Sequence, residues 1–71
     1  MQMNKAQKDL ALNLNFYLRE QGVPDYVTSQ EAAALCIQQG VLEPKYSKYK
    51  NNNPYRRLDV AMYIAKSGGE I

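Results

Sequence analysis

The stretch QGVPDYVTSQE, residues 21–31, sets the boundary between two predicted helices, because it ends one and begins the next. Gly22 suits the left-handed backbone that closes a helix, and Val23 can fold back onto the last turn as the apolar contact of that motif. Pro24 has no backbone N–H to donate and prevents the helix from continuing. The first half of the stretch therefore predicts the end of a helix.

The second half of the stretch predicts a capping box at the start of another helix. In this motif the hydroxyl of Thr28 accepts from the backbone N–H of Glu31, and the Glu31 side chain reaches back to the N–H of Thr28. Residues 25–27 are then a short extended link. We expect the helix to run to about Gln39, where Gly40-Val41 repeats the glycine-apolar ending of the first helix.

The first helix is predicted over residues 4–21, which contain neither Gly nor Pro before the stop. A strand-like alternation from Leu10 to Leu18 competes with this assignment, but the segment is long for a strand and lacks β-branched residues. One helical face is apolar, namely Ala6, Leu10, Leu14, Tyr17 and Leu18. A second apolar face with Leu12 and Phe16 would need a homodimer contact or a central place in the core to cover it.

The C-terminal half predicts a short helix, a turn and a last helix. Pro44 suits the first position of a short helix over residues 44–50, and residues 51–54 form a turn. Residues 55–58 are expected to be extended, and Asp59 is expected to cap the last helix, which ends at Gly68-Gly69. Its apolar residues are Val60, Met62, Tyr63 and Ile64.

The predicted fold class is therefore mostly α, with three helices, a short helical turn and at most a small β-hairpin. The length of 71 residues allows one domain over residues 1–71.

Composition excludes several classes of protein. Cys36 is the only cysteine and the chain has no His, so an intramolecular disulfide, an imidazole base and a Cys/His zinc site are all excluded. We therefore expect no enzyme, no cofactor and no metal, and we expect Cys36 to be a small core residue. No apolar run is long enough to span a membrane, and no signal peptide precedes the first helix, which predicts a cytoplasmic protein.

Charge is strongly segregated along the chain, although the net charge is only +2. Residues 20–44 contain four acidic side chains and no basic one. Residues 45–57, called the basic segment below, contain five basic side chains and no acidic one. Such blocks create a local potential that the net charge conceals.

The basic segment combines side-chain types that nucleic acid binding requires. Lys and Arg neutralise phosphates, Tyr can stack or donate to phosphate, and Asn can bind adenine edges. The alternative is a solvated basic face whose tyrosines pack inward, and Tyr55 in particular is expected to point into the core. The candidate nucleic-acid-binding residues are Lys45, Tyr46, Lys48, Tyr49, Lys50, Asn52, Asn53, Arg56 and Arg57.

Two segments resemble a known family. Residues 26–35, YVTSQEAAAL, are similar to the opening of small winged-helix DNA-binding domains of the phage excisionase and MerR-like types. Residues 55–64, YRRLDVAMYI, resemble their closing element, in which a basic wing strand enters an Asp-capped helix. The resemblance covers about residues 26–69. It departs from the family after Gly40-Val41, where Leu42-Glu43-Pro44 follows in place of the usual serine.

The resemblance implies a winged-helix-like helix-turn-helix in which residues 44–50 enter the major groove. Base contacts would then come from Lys45, Tyr46, Lys48 and Tyr49, and the wing role would pass to Asn52, Asn53, Arg56 and Arg57. This implies a small duplex-DNA-binding protein, excisionase-like or transcription-regulatory, of a kind carried by phages and mobile elements. The alternative is a small protein-binding module or a phage-encoded inhibitor of a host protein that uses the same Tyr- and Arg-rich surface.

Overall fold

The computed structural model describes residues 3–69 and confirms the predicted fold class: three α-helices, one 3₁₀ helix and a two-stranded antiparallel sheet. In chain order the elements are α1 (Lys5–Glu20), β1 (Tyr26–Val27), α2 (Ser29–Gln38), the 3₁₀ helix (Pro44–Lys48), β2 (Tyr55–Arg56) and α3 (Arg57–Ser67). The short helix predicted over residues 44–50 is thus tighter and shorter than expected.

A complete capping box is found at the start of α1, where it was not predicted. The box predicted at the start of α2 is only partly formed. The Asn4 side chain accepts from the Gln7 N–H at 2.8 Å, and the Asn4 N–H donates to the Gln7 side chain at 2.9 Å. At α2 only half of the predicted box is present. Thr28 Oγ1 accepts from the Glu31 N–H at 3.0 Å, whereas the Glu31 carboxylate is exposed and makes no return bond among residues 3–69.

The predicted helix endings are confirmed as Schellman motifs. After α1, Gly22 has φ +77° and the Val23 N–H donates to the Leu18 carbonyl at 3.0 Å. After α2, the Val41 N–H donates to the Cys36 carbonyl at 2.9 Å in the same arrangement. These bonds satisfy carbonyls that a helix end would otherwise leave unpaired.

The sheet joins two segments that are distant in sequence. Tyr26 pairs with Arg56 and Val27 pairs with Tyr55, so residues 28–54, including α2 and the 3₁₀ helix, lie between the strands. The predicted small β element therefore exists, and its two strands belong to the two segments that resemble winged-helix domains, residues 26–35 and 55–64.

The start of α3 differs from the prediction. Only Tyr55 and Arg56 are extended, the N-cap is Arg56, and Asp59 lies within the first turn without capping the helix. The reason is the sheet, because the Arg57 N–H donates to the Asp25 carbonyl at 2.7 Å. A backbone carbonyl thus satisfies a donor for which a capping side chain would otherwise be needed.

The core forms mainly where α1 packs against α3. Ala11, Leu14 and Leu18 of α1 are buried. The predicted apolar face also included Ala6 and Leu10, but Ala6 is exposed and Leu10 is only half-buried. The spacing i, i+3, i+7 of the buried residues marks the line along which α3 lies. Other buried side chains come from the remaining elements, including Val27, Ala32, Ala33, Cys36, Leu42, Val60, Ala61, Ile64 and Ala65.

Cys36 is completely buried in this core, as predicted. Burial raises the pKa of its thiol to about 11, because the thiolate would lose its hydration there. A thiol with so high a pKa is a poor nucleophile at neutral pH. The side chain therefore serves packing.

Candidate nucleic-acid interface

The 3₁₀ helix sorts the basic segment into an inner and an outer side. Residues three apart eclipse each other in a 3₁₀ helix, so Tyr46 and Tyr49 share one side while Lys45 and Lys48 share another. The tyrosines are 7% and 2% exposed, respectively, and both lysines are exposed. The prediction that Tyr46 and Tyr49 contact nucleic acid is therefore wrong, because both rings belong to the core.

Tyr49 anchors the basic segment to α3. Its hydroxyl donates to the Ile64 carbonyl at 3.2 Å and also contacts the Ser67 hydroxyl. Its ring meets the Tyr63 ring edge to face, with centroids 5.5 Å apart and planes at 64°. Burial raises the pKa of Tyr49, an effect that the bond with Ser67 partly offsets. These contacts fix where the lysines on the outer side lie.

The lysines of the basic segment project into solvent. Lys45 Nζ lies 3.9 Å from Glu43 Oε2 and 5.3 Å from the centroid of the Tyr46 ring. An exposed pair of this length contributes about 1 kcal/mol at most. Lys48 and Lys50 are exposed and have no carboxylate within 4.0 Å among the described residues. Their charges are therefore open to a polyanion.

The two adjacent arginines have different surroundings. Arg56 is exposed and lies opposite Tyr26 in the sheet. Arg57 is half-buried, and its Nη1 donates to the Val23 carbonyl at 2.7 Å, which ties α3 to the link after α1. The hydrogen bond to the Val23 carbonyl gives Arg57 a structural role, so its contact with nucleic acid stays a prediction and Arg56 is the more accessible of the two.

The asparagine run forms an exposed loop between the 3₁₀ helix and β2. The Asn53 N–H donates to Asn51 Oδ1 at 2.8 Å, which closes a local turn. Asn52 and Asn53 are exposed, so their side-chain amides lie beside Lys50 in the chain and face solvent. The loop thus keeps both predicted asparagines accessible.

Tyr55 is 48% exposed, so the expectation that it points into the core is wrong. The core position at this end of the sheet is occupied by its partner across the strands, Val27, and by Val60 of α3. Tyr26 and Tyr63 are also exposed, although Tyr63 was predicted among the apolar residues of the last helix. Their exposure depends on strand pairing and helix packing between distant segments, which no local pattern signals.

A cleft opens beside the basic segment, between the N-terminal ends of α2 and α3. Its volume is about 300 Å³. Two exposed tyrosines, two polar side chains and one acidic side chain line it above a buried valine: Tyr55, Tyr63, Ser29, Asn51, Asp59 and Val60. Asp59 has no Lys or Arg nitrogen within 4.0 Å among residues 3–69.

An apolar surface lies on another part of the molecule. Leu12 and Phe16 are 60% and 63% exposed on α1, and Leu58 of α3 is exposed as well. A shallow groove of about 270 Å³ runs between the two helices beside Leu12, Leu58 and Met62. Large apolar side chains grouped in this way are typical of contact surfaces.

Two classes of site receive no support from the described part of the chain. Residues 3–69 contain no group of three His, Cys, Asp or Glu side chains that could hold a metal ion. None of the helices in this range is both long and apolar enough to cross a bilayer.

Comparison of the chain with protein-family models, curated proteins and solved structures finds no match, so the resemblance to winged-helix domains stays a prediction from the sequence.

Proposed function

We propose that the chain is a small duplex-DNA-binding protein, excisionase-like or transcription-regulatory in role, that binds through the outer side of its basic segment. The observation that carries the proposal is the outward position of four cations in a segment without acidic residues: Lys45, Lys48, Lys50 and Arg56. Phosphate contacts of this kind supply most of the affinity of non-specific DNA binding.

Asn52 and Asn53 add polar groups that can reach bases. They lie in an exposed loop between Lys50 and Arg56, so phosphate contacts on both sides could hold the loop against a groove. The inner tyrosines support this surface indirectly, because Tyr46 and Tyr49 fix the 3₁₀ helix to the core. In this proposal Arg57 and the two tyrosines have structural roles.

The proposal is tested by anisotropy of a labelled mixed-sequence duplex at low salt. The variant K48Q/R56Q should raise Kd by at least about tenfold at low salt, because it removes two of the four expected phosphate contacts and their counterion release. The matched control K66Q removes an exposed cation of α3 outside the basic segment and should leave Kd nearly unchanged. Equal losses in both variants, or no binding by the wild type, would contradict the proposal.

The exposed tyrosines favour a second candidate, a protein-binding module or inhibitor of a host protein. Tyr26, Tyr55 and Tyr63 accompany Arg56 on the surface, and Tyr and Arg are enriched at interface hot spots. A stoichiometric protein partner that stays bound at high salt and does not require DNA would support this candidate. Lys48 and Lys50 favour DNA instead, since Lys is depleted at protein interfaces.

We also propose that the apolar surface of α1 is covered by a second copy of this chain through Leu12 and Phe16. The observation behind it is the exposure of both side chains, four residues apart on one helix face. Sedimentation equilibrium should show a mass that rises with concentration, and L12Q/F16Q should give the monomer mass throughout. The control N13Q changes an exposed neighbour on α1 and should behave as the wild type. A wild-type monomer at every concentration would contradict the contact.

A further inference from the structure

The cleft between α2 and α3 has the walls and the polar groups of a site for a single flat ring. We propose that it binds one unpaired guanine base of a nucleic acid strand, with Asp59 as the group that selects guanine. The inference rests on the proposed function for its ligand class, nucleic acid, and adds an unpaired-base site to duplex binding. A volume of about 300 Å³ lies at the small end of the range for ligand sites.

Two tyrosine rings provide the stacking surface. Tyr55 and Tyr63 both line the cleft, and they are 48% and 43% exposed, so much of each ring is accessible. The position of Tyr63 is supported from below by the edge-to-face contact with buried Tyr49. Unpaired bases bind proteins chiefly by stacking on aromatic side chains, and a wall that is already in place loses little entropy on binding.

The acceptor in the cleft is Asp59, whose carboxylate has no Lys or Arg nitrogen within 4.0 Å among the described residues. An ionised carboxylate only accepts, and its two oxygens match two parallel donors. Guanine alone among the four DNA bases presents two adjacent donors, N1–H and the N2 amino group, on its Watson–Crick edge. Each of the other bases places an acceptor beside its donor, which a carboxylate would repel.

Asn51 supplies the complementary donor. Its Oδ1 already accepts from the Asn53 N–H at 2.8 Å, which leaves the side-chain amide nitrogen of this cleft residue to donate. The acceptor next to N1–H on guanine is O6. A donor from Asn51 and two acceptor positions on Asp59 therefore match the sequence of groups along the guanine edge.

The charges around the cleft favour a nucleotide over a cationic side chain. Lys50 and Arg56 are exposed, and they adjoin the cleft residues Asn51 and Tyr55 in the chain. These cations would attract the phosphates that flank a bound base and would repel a third cation. An arginine or lysine side chain of a protein is thus the less favoured occupant of an aromatic cleft with one carboxylate.

The test compares labelled oligothymidylates that differ at one central position. With the wild type, a central dG should bind about tenfold more tightly than dT, dA or dC, since hydrogen bonds to a charged group are stronger than those between neutral groups. Deoxyinosine, which lacks the N2 amino group, should lose most of that gain. This comparison requires no substitution and so does not depend on the folding of a variant.

Variants then assign the effect to the cleft. D59N should abolish the preference for dG and should bind all-dT at least as well as the wild type, because a negative charge is removed near the strand. The control D9N removes an exposed carboxylate of α1 and should keep the preference. Equal wild-type affinity for dG and dT, or a preference that survives D59N, would overturn the proposal.

Three further outcomes separate this proposal from the alternatives. Salt-dependent binding to duplex DNA without a dG preference would overturn the guanine site and leave the proposed function standing. A dG preference without duplex binding would overturn the proposed function and leave the guanine site standing. Binding of arginine methyl ester by the wild type but not by D59N, with no discrimination among the oligonucleotides, would show that the cleft takes a cation and would overturn the guanine site.

Discussion

Helix α1 exposes apolar side chains, whereas the basic segment buries two of its aromatic ones. In α1 apolar residues lie on two faces, and the helix leaves Leu12 and Phe16 in solvent while it buries Leu14 and Leu18. In the basic segment, which looks polar throughout, two tyrosine rings are buried and the lysines lie outside. Burial therefore follows from which side of each helix faces the neighbouring element. Residue type alone would have placed Leu12 and Phe16 inside.

The largest expected effect comes from removing the anchor of the basic segment. Y49A should destabilise the protein by about 3–5 kcal/mol, because a buried aromatic ring leaves a cavity and its hydrogen bonds are lost. The free energy of unfolding in urea measures this. Y26A removes an exposed tyrosine and should cost about 0.5 kcal/mol or less. Similar costs for the two variants would mean that the segment is not anchored through Tyr49.

A smaller effect should separate the two arginines that follow each other in the chain. R57M should cost about 1.5 kcal/mol in unfolding free energy, because the Val23 carbonyl loses a charged donor. This cost in unfolding free energy is near the low end for a lost hydrogen bond of a charged group, since the buried Nε of Arg57 has no partner among the described residues. R56M should leave stability unchanged and weaken duplex binding, so a reversed pattern would contradict the assignment.

The smallest effect concerns alkaline pH. The Cys36 thiol ionises near 9.0 in the unfolded chain and near 11 in the folded one, so between these values the unfolded state binds fewer protons. Stability should therefore fall as the pH rises from 8.5, by about 1 kcal/mol at pH 10. C36A, which does not titrate, should show a smaller fall in the urea midpoint. An identical fall in both proteins would exclude the thiol as its source.

Much of the fold follows from local sequence signals. The glycine-apolar endings at Gly22 and Gly40, the cap at Thr28 and the burial of Cys36 all depend on residues within one or two helical turns, and the structure confirms them. The start of α3 could not be predicted, since Asp25, more than thirty residues away, supplies the acceptor that sets it.

The candidate site was predicted less completely for the same reason. Lys48, Lys50 and Arg56 were identified because a block of charge without acids is visible in the sequence. Tyr46 and Tyr49 are three residues apart and share a side in an α-helix and in a 3₁₀ helix alike, so their common side is visible in the sequence. That this side faces inward depends on the contacts of Tyr49 with Tyr63 and Ile64 of α3, which are distant in sequence. The exposure of Tyr55 depends on its pairing with Val27, a contact between distant segments.

The salt dependence of duplex binding measures how many phosphates the outer side of the basic segment neutralises. If the four outward cations each neutralise one phosphate, a plot of log K against log[salt] should have a slope of about −3.6, and K48Q/K50Q/R56Q should reduce it to about −0.9. R57M should keep the wild-type slope. A flat plot for the wild type, or a slope that the triple variant leaves unchanged, would mean that the cations of the basic segment do not contact DNA phosphates.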